Sequence, residues 1–458
     1  MVHTDTIAAI ATGMNTAGIG IIRISGDDSF SVVKKIFRSP SGKSLSSVNS
    51  HQVYYGYIYD NDEMIDEVLV IPMKAPRSYT TEDTIEIDCH GGLVVMNRIL
   101  ETVIKNGARV AEPGEFTKRA FLGGRIDLSK AEAVADLIDS KNKYAASNSL
   151  KILTGRLYRH LSEIKEKVLY EIAYIEAAID DPEHYDLTGY PEELSDKIIV
   201  FISEIEKLID SYKNGKILHE GINTVILGKP NAGKSSILNT LLGVERAIVT
   251  DIAGTTRDSI SEQIIINGIN LNITDTAGIR DTDDTVESIG VNRSKELAES
   301  ADLILMVIDS SVSLDSSDYE IFDIIKDKQA LILYNKNDLK PAVSLNEIEK
   351  YSHHPVISVS AKENSGIDLF RKYVTDNFIN GSIKYNDEIF ISNQRQLQLL
   401  TDSVNSLKNV LLSIENGMPE DCFSIDLTNA YEDLCMIIGE SVGEDVVNEI
   451  FSRFCMGK

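Results

Sequence analysis

The chain has 458 residues and a formal net charge of −26, from 45 Lys and Arg against 71 Asp and Glu. This length predicts about three domains that each bury a core. The hydrophobic content of 43% excludes disordered, collagen-like and mucin-like proteins. The excess of acids should repel a phosphate backbone, so we expect the isolated chain to bind nucleic acid weakly and in a salt-sensitive way.

Targeting and cysteine patterns indicate an intracellular protein. No apolar run approaches the ~18 residues that span a bilayer, and the first ten residues carry an acid where a signal peptide has basic residues. We therefore predict a cytoplasmic protein without a membrane segment. The cysteines are too scattered for a metal cluster or a disulfide framework; they are Cys89, Cys422, Cys435 and Cys455.

Two types of sequence flank a central region. Residues 1–120 carry short β-rich runs, such as 19–24 and 84–88, between glycines and prolines, which indicates an α+β domain. Residues 121–219 and 379–458 repeat apolar residues at spacings of three and four, which predicts an α-helical bundle domain built from two segments. The two apolar stripes are Leu194, Ile198, Phe201, Ile205, Leu208 and Tyr212, and Leu397, Leu400, Val404, Leu407, Leu411 and Ile414.

The central region, residues 220–378, alternates short apolar strands with helical stretches. This pattern predicts a mostly parallel sheet with helices on both faces, inserted into the helical domain. Asn267-Gly268 predicts a hairpin turn. The predicted strands lie near residues 223–227, 271–275, 303–309, 331–335 and 356–360.

A phosphate-binding loop is predicted directly after the first of these strands. Residues 228–235 read GKPNAGKS and precede a helical run. In this context backbone N–H groups cradle phosphate oxygens, Lys234 reaches the β and γ phosphates, and Ser235 holds Mg²⁺. Asp275 ends the next strand in the motif Asp275-Thr276-Ala277-Gly278, which places its carboxylate near the Mg²⁺ water shell.

Two later motifs predict that the base is guanine. Asn335-Lys336-Asn337-Asp338 follows the fourth strand, and Ser360-Ala361-Lys362 follows the fifth. The Asp338 carboxylate can accept both N–H groups of the guanine edge, whereas adenine offers an acceptor there. We therefore predict GTP and GDP as ligands. The predicted contacts are Asn231, Ala232, Gly233, Lys234, Ser235, Ser236, Thr250, Asp251, Ile252, Ala253, Gly254, Thr255, Thr256, Asp275, Thr276, Ala277, Gly278, Asn335, Lys336, Asp338, Ser360, Ala361 and Lys362.

The catalytic group for hydrolysis is not evident from these motifs. Ile279 stands where Ras-like switches carry a glutamine that orients water. Residues 279–294 offer four acids, and their pattern alone does not single out Glu287. Arg257 is a weak candidate for an arginine finger, and a monovalent cation held by Asn231 and loop carbonyls could supply the same charge.

Five segments outside or beside the shared GTPase motifs carry a resemblance to a known family. They are residues 21–26 (IIRISG), 90–92 (HGG), 113–121 (PGEFTKRAF), 250–258 and 454–458 (FCMGK). Over essentially its whole length the chain resembles the MnmE/TrmE family of tRNA wobble-uridine modification GTPases. The resemblance implies an N-terminal tetrahydrofolate-binding and dimerisation domain, a helical domain and a Ras-like P-loop G domain.

The same resemblance implies a reaction and its participants. A K⁺-activated homodimer works with an FAD-dependent flavoprotein of the MnmG/GidA type, as a heterotetramer that supplies most of the tRNA contact. It adds an aminomethyl or carboxymethylaminomethyl group to C5 of the wobble uridine, U34. The carbon comes from 5-formyl- or 5,10-methylene-tetrahydrofolate, and GTP hydrolysis drives a conformational cycle.

Position by position, the resemblance assigns roles that the residue patterns do not. Glu287 would orient the attacking water, and Cys455 would be required for tRNA modification, although a tail thiol alone favours an inert role. His90 is as compatible with a tight turn as with catalysis. The implied ligands are Ser235 and Thr256 for Mg²⁺; Asn231, Thr250, Ile252 and Thr255 for K⁺; and Arg23, Glu86, Arg125 and Lys458 for the folate.

A second interpretation belongs to another class of protein. The chain could be a GTP-driven assembly or signalling switch, for example on ribosomes, whose N-terminal domain binds a partner instead of folate. Residues 1–120 and the tail at residues 455–458 separate the two interpretations, since a switch would need neither.

Overall fold

The computed structural model describes residues 5–40, 42, 48–185, 187–244, 261–275, 296–380, 389–454 and 457. The chain divides into two units. The first unit comprises Met1–Asp139, Ser149–Ile205 and Gln398–Lys458, and the second comprises Ser140–Asn148 and Glu206–Leu397. The phosphate-loop and base motifs predicted from the sequence lie in the second unit.

The N-terminal part of the first unit is a seven-stranded sheet with helices. The strands follow the order β3-β4-β5-β6-β2-β1-β7, and their pairs are antiparallel except for β1 with β7. This arrangement confirms the predicted α+β character. The elements are β1 (Ile7–Ile10), β2 (Gly20–Ser25), α1 (Ser29–Ile36), β3 (Phe37–Arg38), β4 (Tyr54–Asp60), β5 (Glu63–Met73), β6 (Thr84–Cys89), α2 (Leu93–Lys105), β7 (Arg109–Val110) and α3 (Glu115–Leu122).

Alternation along β2 and β6 separates a core face from a polar face. Ile22, Ile24, Ile85 and Ile87 are fully buried in the core with residues of α1 and α2. The residues between them point to the opposite face because successive side chains of a strand alternate. Register pairs Arg23 with Glu86 on that face.

Helices from both predicted segments join in the first unit. The long helix Arg156–Asp180 packs on the helix Glu420–Ile438, and the buried residues of these two helices include Leu161, Ile164, Leu427 and Leu434. The predicted helical domain is therefore confirmed, and helices from both segments pack together in it. The helices of this part are α4 (Leu128–Asp139), α5 (Lys143–Leu153), α6 (Arg156–Asp180), α7 (Tyr190–Glu220), α12 (Gln394–Glu415), α13 (Glu420–Ile438) and α14 (Glu444–Ser452). Three of them, α5, α7 and α12, have some residues in the first unit and the others in the second.

Most residues of the predicted apolar stripes are buried. Tyr212, Leu397 and Ile414 are half-buried, and the second stripe departs from its prediction near the end of α12. Leu400, Val404 and Leu407 are buried as predicted, but the next core residue is Val410, which is fully buried. Leu411 is only half-buried. The predicted step of four was wrong here because the helix repeats every 3.6 residues, so a step of three keeps the stripe facing the core.

The second unit contains the predicted mostly parallel sheet. Its strand order is β13-β12-β11-β8-β10-β9, and every pair is parallel except the β9–β10 hairpin. The elements are β8 (Ile222–Leu227), α8 (Lys234–Val244), β9 (Ser261–Ile266), β10 (Ile269–Asp275), β11 (Leu303–Asp309), α9 (Ser316–Ile325), β12 (Ala330–Asn335), α10 (Leu345–Tyr351), β13 (Val356–Ser358), α11 (Ile367–Val374) and a π-helix (Thr375–Asn380).

Both faces of this sheet are covered, as predicted. Leu303, Leu305 and Val307 of β11 enter one core cluster, which includes residues of α8 and α11, and the alternate residues Ile304 and Met306 enter the other, which includes residues of α9 and α10. A strand buried on both faces reads as a continuous apolar run, which is typical of parallel sheets.

The hairpin turn is also confirmed. Asn267 has φ 48° and Gly268 has φ 86°, and the strands on either side pair in antiparallel register. Positive φ at both central positions is the geometry for which Asn-Gly is favoured. Within the described ranges, no helix is both long and apolar enough to cross a membrane.

Candidate functional site

The phosphate loop connects β8 to α8 and curls around the Lys234 side chain. Lys234 is 9% exposed, and its Nζ donates to the carbonyl oxygens of Gly228 at 2.7 Å and Lys229 at 2.9 Å. Gly233 lies so close to Asn335 that any Cβ at position 233 would clash with the Asn335 amide. The loop therefore holds a positive charge beside the N-terminus of α8, which is an arrangement that suits phosphate.

Asn335 joins the base motif to the phosphate loop. Its Nδ2 donates to the carbonyl oxygen of Ala232 at 2.9 Å, and its Oδ1 accepts the N–H of Ala361 at 3.3 Å. Because the carboxyl ends of parallel strands meet at one edge of a sheet, the ends of β8 and β12 come together here. One buried amide thus links three predicted motifs.

Asp338 is held as a charged acceptor at the same edge. Its Oδ1 accepts the hydroxyl of Ser360 at 2.7 Å. The Ser360 hydroxyl, assisted by nearby lysines, lowers the pKa of Asp338 below its ordinary value. The carboxylate is therefore ionised at neutral pH, as recognition of the guanine N–H groups requires.

The described part of the predicted nucleotide set lies together at this edge. Ser235 and Ser236 are exposed in the first turn of α8, Asn231 is exposed in the loop, and Lys362 is exposed after Ala361. Asp275 ends β10 next to β8, and its side chain is outside the description. The other predicted residues lie outside the described ranges: Thr250, Asp251, Ile252, Ala253, Gly254, Thr255, Thr256, Thr276, Ala277, Gly278 and Glu287.

A second cluster of predicted site residues lies on the polar face of the N-terminal sheet. Arg23 pairs with Glu86 through its Nε at 2.8 Å and its terminal nitrogen at 2.7 Å. Arg125 donates to the carbonyl oxygen of Tyr79 at 2.9 Å and lies 4.8 Å from the Tyr79 ring centre. The Arg23 guanidinium is 5.6 Å from the ring centres of both Tyr79 and Phe116.

The C-terminal segment returns to this cluster. Arg23 also donates to the carbonyl oxygen of Gly457 at 3.5 Å, across 434 residues of sequence. Gly457 is buried and packs against the backbone of Ile10 and Ala11. Cys455 and Lys458, its neighbours in the predicted site, lie outside the described residues.

Buried ion pairs fix the helix that carries Phe116. Arg119, 8% exposed, pairs with Glu115 at 2.9 Å and with Glu82 at 3.1 Å, and Glu115 also pairs with Arg109 at 2.5 Å. Buried charges are stable only when paired in this way. The network accounts for Glu115 and Arg119 of the 113–121 segment and fixes the helix that places Phe116 under Arg23.

His90 and the described cysteines lie outside these clusters of contacts. His90 is exposed, and Asp66 accepts from its backbone N–H at 2.8 Å and contacts its Nδ1 at 2.7 Å. The Asp66 carboxylate raises the pKa of His90 above its ordinary value. Cys435 is buried, as predicted, and burial raises the pKa of Cys89 to about 12, which makes a thiolate there unfavourable.

Comparison with known proteins decides the family. Residues 6–125 match the model of the GTP-binding protein TrmE N-terminus, and residues 128–455 match the model of the MnmE helical domain. The tRNA modification GTPase MnmE of Lachnoclostridium phytofermentans is 55% identical over 99% of this chain and 100% of its own length. That of Clostridioides difficile is 48% identical over 99% of both chains.

The chain belongs to the MnmE family of tRNA modification GTPases. The family models and the described fold agree on a TrmE-type N-terminal domain, a helical domain and a P-loop GTPase domain. Among solved structures, the G domain of the T. maritima FeoB iron transporter is 22% identical over 34% of this chain and 97% of its own, with a TM-score of 0.27.

Two residues of the N-terminal cluster were missed in the sequence. Phe116 lies within the 113–121 segment that carries the resemblance to the MnmE/TrmE family, so a signal for it existed. Tyr79 lies in a run of serines and threonines with no apolar period, and only the fold places it between Arg23 and Arg125.

Proposed function

We propose that this chain is a K⁺-activated GTPase that modifies C5 of the wobble uridine, U34, of certain tRNAs together with a flavoprotein partner. As a member of its family it is a GTP hydrolase, converting GTP to GDP and phosphate in tRNA modification. The observation that carries the proposal is the full-length identity of 55% to a tRNA modification GTPase, combined with a phosphate loop and a guanine acceptor joined by Asn335.

GTP binds, in this proposal, along the edge formed by the phosphate loop and Asp338. Lys234 neutralises charge on the β and γ phosphates, and the Ser235 hydroxyl, exposed beside it, holds Mg²⁺ with Thr256. Glu287 orients the water that attacks the γ-phosphate. Asn231, exposed and with φ 64°, fits a ligand of K⁺, and the proposed remaining ligands are Thr250, Ile252 and Thr255.

A one-carbon tetrahydrofolate binds, in this proposal, at the cluster around Arg23 and Tyr79. The donor set fits such a group: Glu86 accepts hydrogen bonds from a pterin ring, Tyr79 offers an aromatic face, and Arg125 and Lys458 attract the glutamate carboxylates. The folate supplies the carbon, as 5-formyl or 5,10-methylene. We assign Cys455 to the modification step because it lies two positions before Gly457 in the sequence, and the Gly457 carbonyl oxygen accepts from Arg23.

The organisation we propose has three domains and two kinds of partner. Residues 1–120 form the folate and dimerisation domain, residues 121–219 with 379–458 form the helical domain, and residues 220–378 form the inserted G domain. The protein is cytoplasmic and homodimeric, and joins an FAD-dependent flavoprotein of the MnmG/GidA type in a heterotetramer. With a charge of −26, this chain leaves most of the tRNA contact to the partner.

Mass spectrometry of tRNA from cells that lack this protein tests the function. We expect the wobble uridines of affected tRNAs to lose their C5 substituents. Unchanged C5 substituents would show that the chain acts elsewhere.

Two measurements on the purified protein test the finer proposals. Calorimetric titration with 5-formyltetrahydrofolate should show saturable binding, and its absence would favour an assembly switch that uses no folate. GTP turnover should rise about tenfold when K⁺ replaces Na⁺, in line with one added charge contact at the phosphates. Equal rates in both salts would remove the proposed K⁺ site.

A further inference from the structure

The nucleotide edge is the edge of the second sheet formed by the phosphate loop and Asp338. Asp309, the last residue of β11, lies beside this edge but belongs to none of the predicted motifs. It is 8% exposed although it is ionisable. Its carboxylate accepts from Lys336 Nζ at 2.6 Å and from the N–H and hydroxyl of Ser311 at 2.9 and 2.6 Å. A buried carboxylate is costly unless it is paired and hydrogen-bonded, so this set of donors holds it in one position.

Lys336 links Asp309 to the phosphate loop. The same Nζ donates to the carbonyl oxygen of Asn231 at 3.0 Å. Lys336 has φ 61° and Asn231 has φ 64°, in a region that side-chain-bearing residues rarely adopt. Such conformations persist only where the surroundings hold them. One ammonium, fixed by Asp309, therefore constrains both residues.

A second ion pair joins the loop to the residues that follow Asp309. Lys229, next to Gly228 in the phosphate loop, contacts Asp315 at 2.9 Å and Asp318 at 2.6 Å. Asp315 caps helix α9 in a capping box with Asp318, which is fully buried. Residues 309–318 thus contact the nucleotide edge at two points, Lys336 and Lys229.

The charge on Asp309 is maintained at neutral pH. Burial alone would raise its pKa, but the Lys336 ammonium and the Ser311 donors outweigh burial and lower the pKa of Asp309 below its ordinary value. The contact with Lys336 is therefore an ion pair and not a neutral hydrogen bond.

We propose that Asp309 is a positioning residue of the GTP site, which sets the geometry of the base motif and the phosphate loop through Lys336 before nucleotide binds. Lys229, held by Asp315 and Asp318, anchors the loop at a second point. The inference rests on the proposed binding of GTP at this edge. A site that is already ordered loses less freedom on binding, so loosening it weakens affinity and leaves the chemical step largely unchanged.

The experiment compares Asp309→Asn with a matched control in the full-length protein. Asp302→Asn alters the residue just before β11, at its other end, where the carboxylate accepts the N–H of Asn223 at 2.9 Å. The readouts are the Kd for a fluorescent GDP analogue with Mg²⁺ and the kcat at saturating GTP. We expect Asp309→Asn to weaken GDP binding about tenfold with kcat within about twofold, and Asp302→Asn to match the wild type.

A double-mutant cycle separates positioning from a general structural effect. Because Asp309 acts through Lys336, adding Asp309→Asn to Lys336→Met should change the Kd by less than about twofold. Wild-type affinity in Asp309→Asn, or the same loss in both backgrounds, would overturn the proposal. If Asp309→Asn does not fold, Ser311→Ala decides, with an expected loss of about threefold.

The failure of this inference differs from a failure of the proposed function. If the wild-type protein does not bind the GDP analogue, the proposed GTP site itself is wrong. If the wild type binds and Asp309→Asn binds equally well, only the role of Asp309 is wrong.

Discussion

The nucleotide edge and the Arg23 cluster are assembled in opposite ways. At the nucleotide edge, each contributing motif is a few consecutive residues at the end of one strand, and the parallel sheet brings these ends together. The Arg23 cluster draws single residues from distant positions, from Arg23 to Gly457, through antiparallel register and a returning C-terminal segment. Local sequence therefore reveals the first site and hides most of the second.

The two regions also differ in how charge is arranged. In the phosphate loop, Lys234 donates to the carbonyl oxygens of Gly228 and Lys229 beside the N-terminus of α8. In the N-terminal cluster, Arg23 is paired with Glu86 between aromatic rings. The first arrangement suits an anion, and the second suits a flat, polar, weakly charged group. The first two predictions below each perturb one site and use the other as the reference.

The largest effect is expected for Asp338→Asn at the nucleotide edge. The change removes the acceptor for two guanine N–H groups, so the KM for GTP should rise about 100-fold or more. Xanthosine triphosphate, which offers a carbonyl in place of the guanine amino group, should restore turnover because the asparagine amide can donate to it. Steady-state kinetics with both nucleotides is the measurement.

The exposed Asp323 of α9 provides the control for that change. Asp323→Asn should leave both KM values unchanged. Folate binding should survive in the Asp338→Asn protein. Loss of folate binding would mean that the two sites are not independent.

The next effect is expected for Arg23→Met in the N-terminal cluster. The change removes a charged donor and leaves Glu86 unpaired, so 5-formyltetrahydrofolate should bind about 30-fold or more weakly, while GTP turnover stays within twofold. Arg38→Met is the matched control, because Arg38 also pairs with an acid, Asp62, and lies over a ring, that of Tyr59. Calorimetry measures the affinity for 5-formyltetrahydrofolate in both variants. An equal loss of affinity in both would show that Arg23 has no specific role in folate binding.

A smaller and different effect is expected for Phe116→Ala. Phe116 is fully buried under Arg23, so removing its ring should lower the free energy of unfolding of the first unit by about 3–5 kcal/mol. Phe116→Leu, which keeps most of the volume, should cost about 1.5 kcal/mol or less. Urea unfolding followed by circular dichroism checks both, and a loss below about 1 kcal/mol for the alanine variant would show that the ring is not part of the core.

The smallest effect concerns the exposed pair of His90 and Asp66. Since the pKa of His90 is raised in the folded chain, its pairing with Asp66 stabilises the fold fully below the unfolded-state pKa of about 6.5 and is lost as pH rises through the folded pKa. NMR titration should find the His90 pKa above about 6.5, and Asp66→Asn should lower this pKa to its ordinary value. An unshifted His90 in the wild-type protein would contradict the contact.

Patterns in the chain predicted the second unit in detail for a physical reason. The strand Leu303–Asp309 matches its prediction because an apolar run buried on both faces, bounded by polar residues, has few alternatives. The strand Val356–Ser358 ends two residues before the end predicted for it, residue 360. The reason is that the Ser360 backbone pairs with Ser365 and its hydroxyl donates to Asp338. The end of that strand depends on a tertiary contact that no local pattern contains.

The same limit applies to the residues that were missed. Tyr79 and Asp309 matter through neighbours far along the chain, Arg125 and Lys336. Tyr79 lies in no periodic run, and Asp309 ends a predicted strand but belongs to no predicted motif. The resemblance to the family supplied Arg23, Glu86 and Arg125, which side-chain alternation alone could place only on a polar face. Val410 replaced Leu411 in the core because helical phase drifts over a long stripe.

The central claim is that GTP hydrolysis and one-carbon chemistry occupy separate sites of one tRNA-modifying chain. Mass spectrometry of tRNA from cells whose only copy carries Arg23→Met tests it most directly, alongside the GTPase rate of the same purified variant. We predict wobble uridines without their C5 substituents together with a wild-type GTPase rate. Fully modified wobble uridines in those cells would contradict the account.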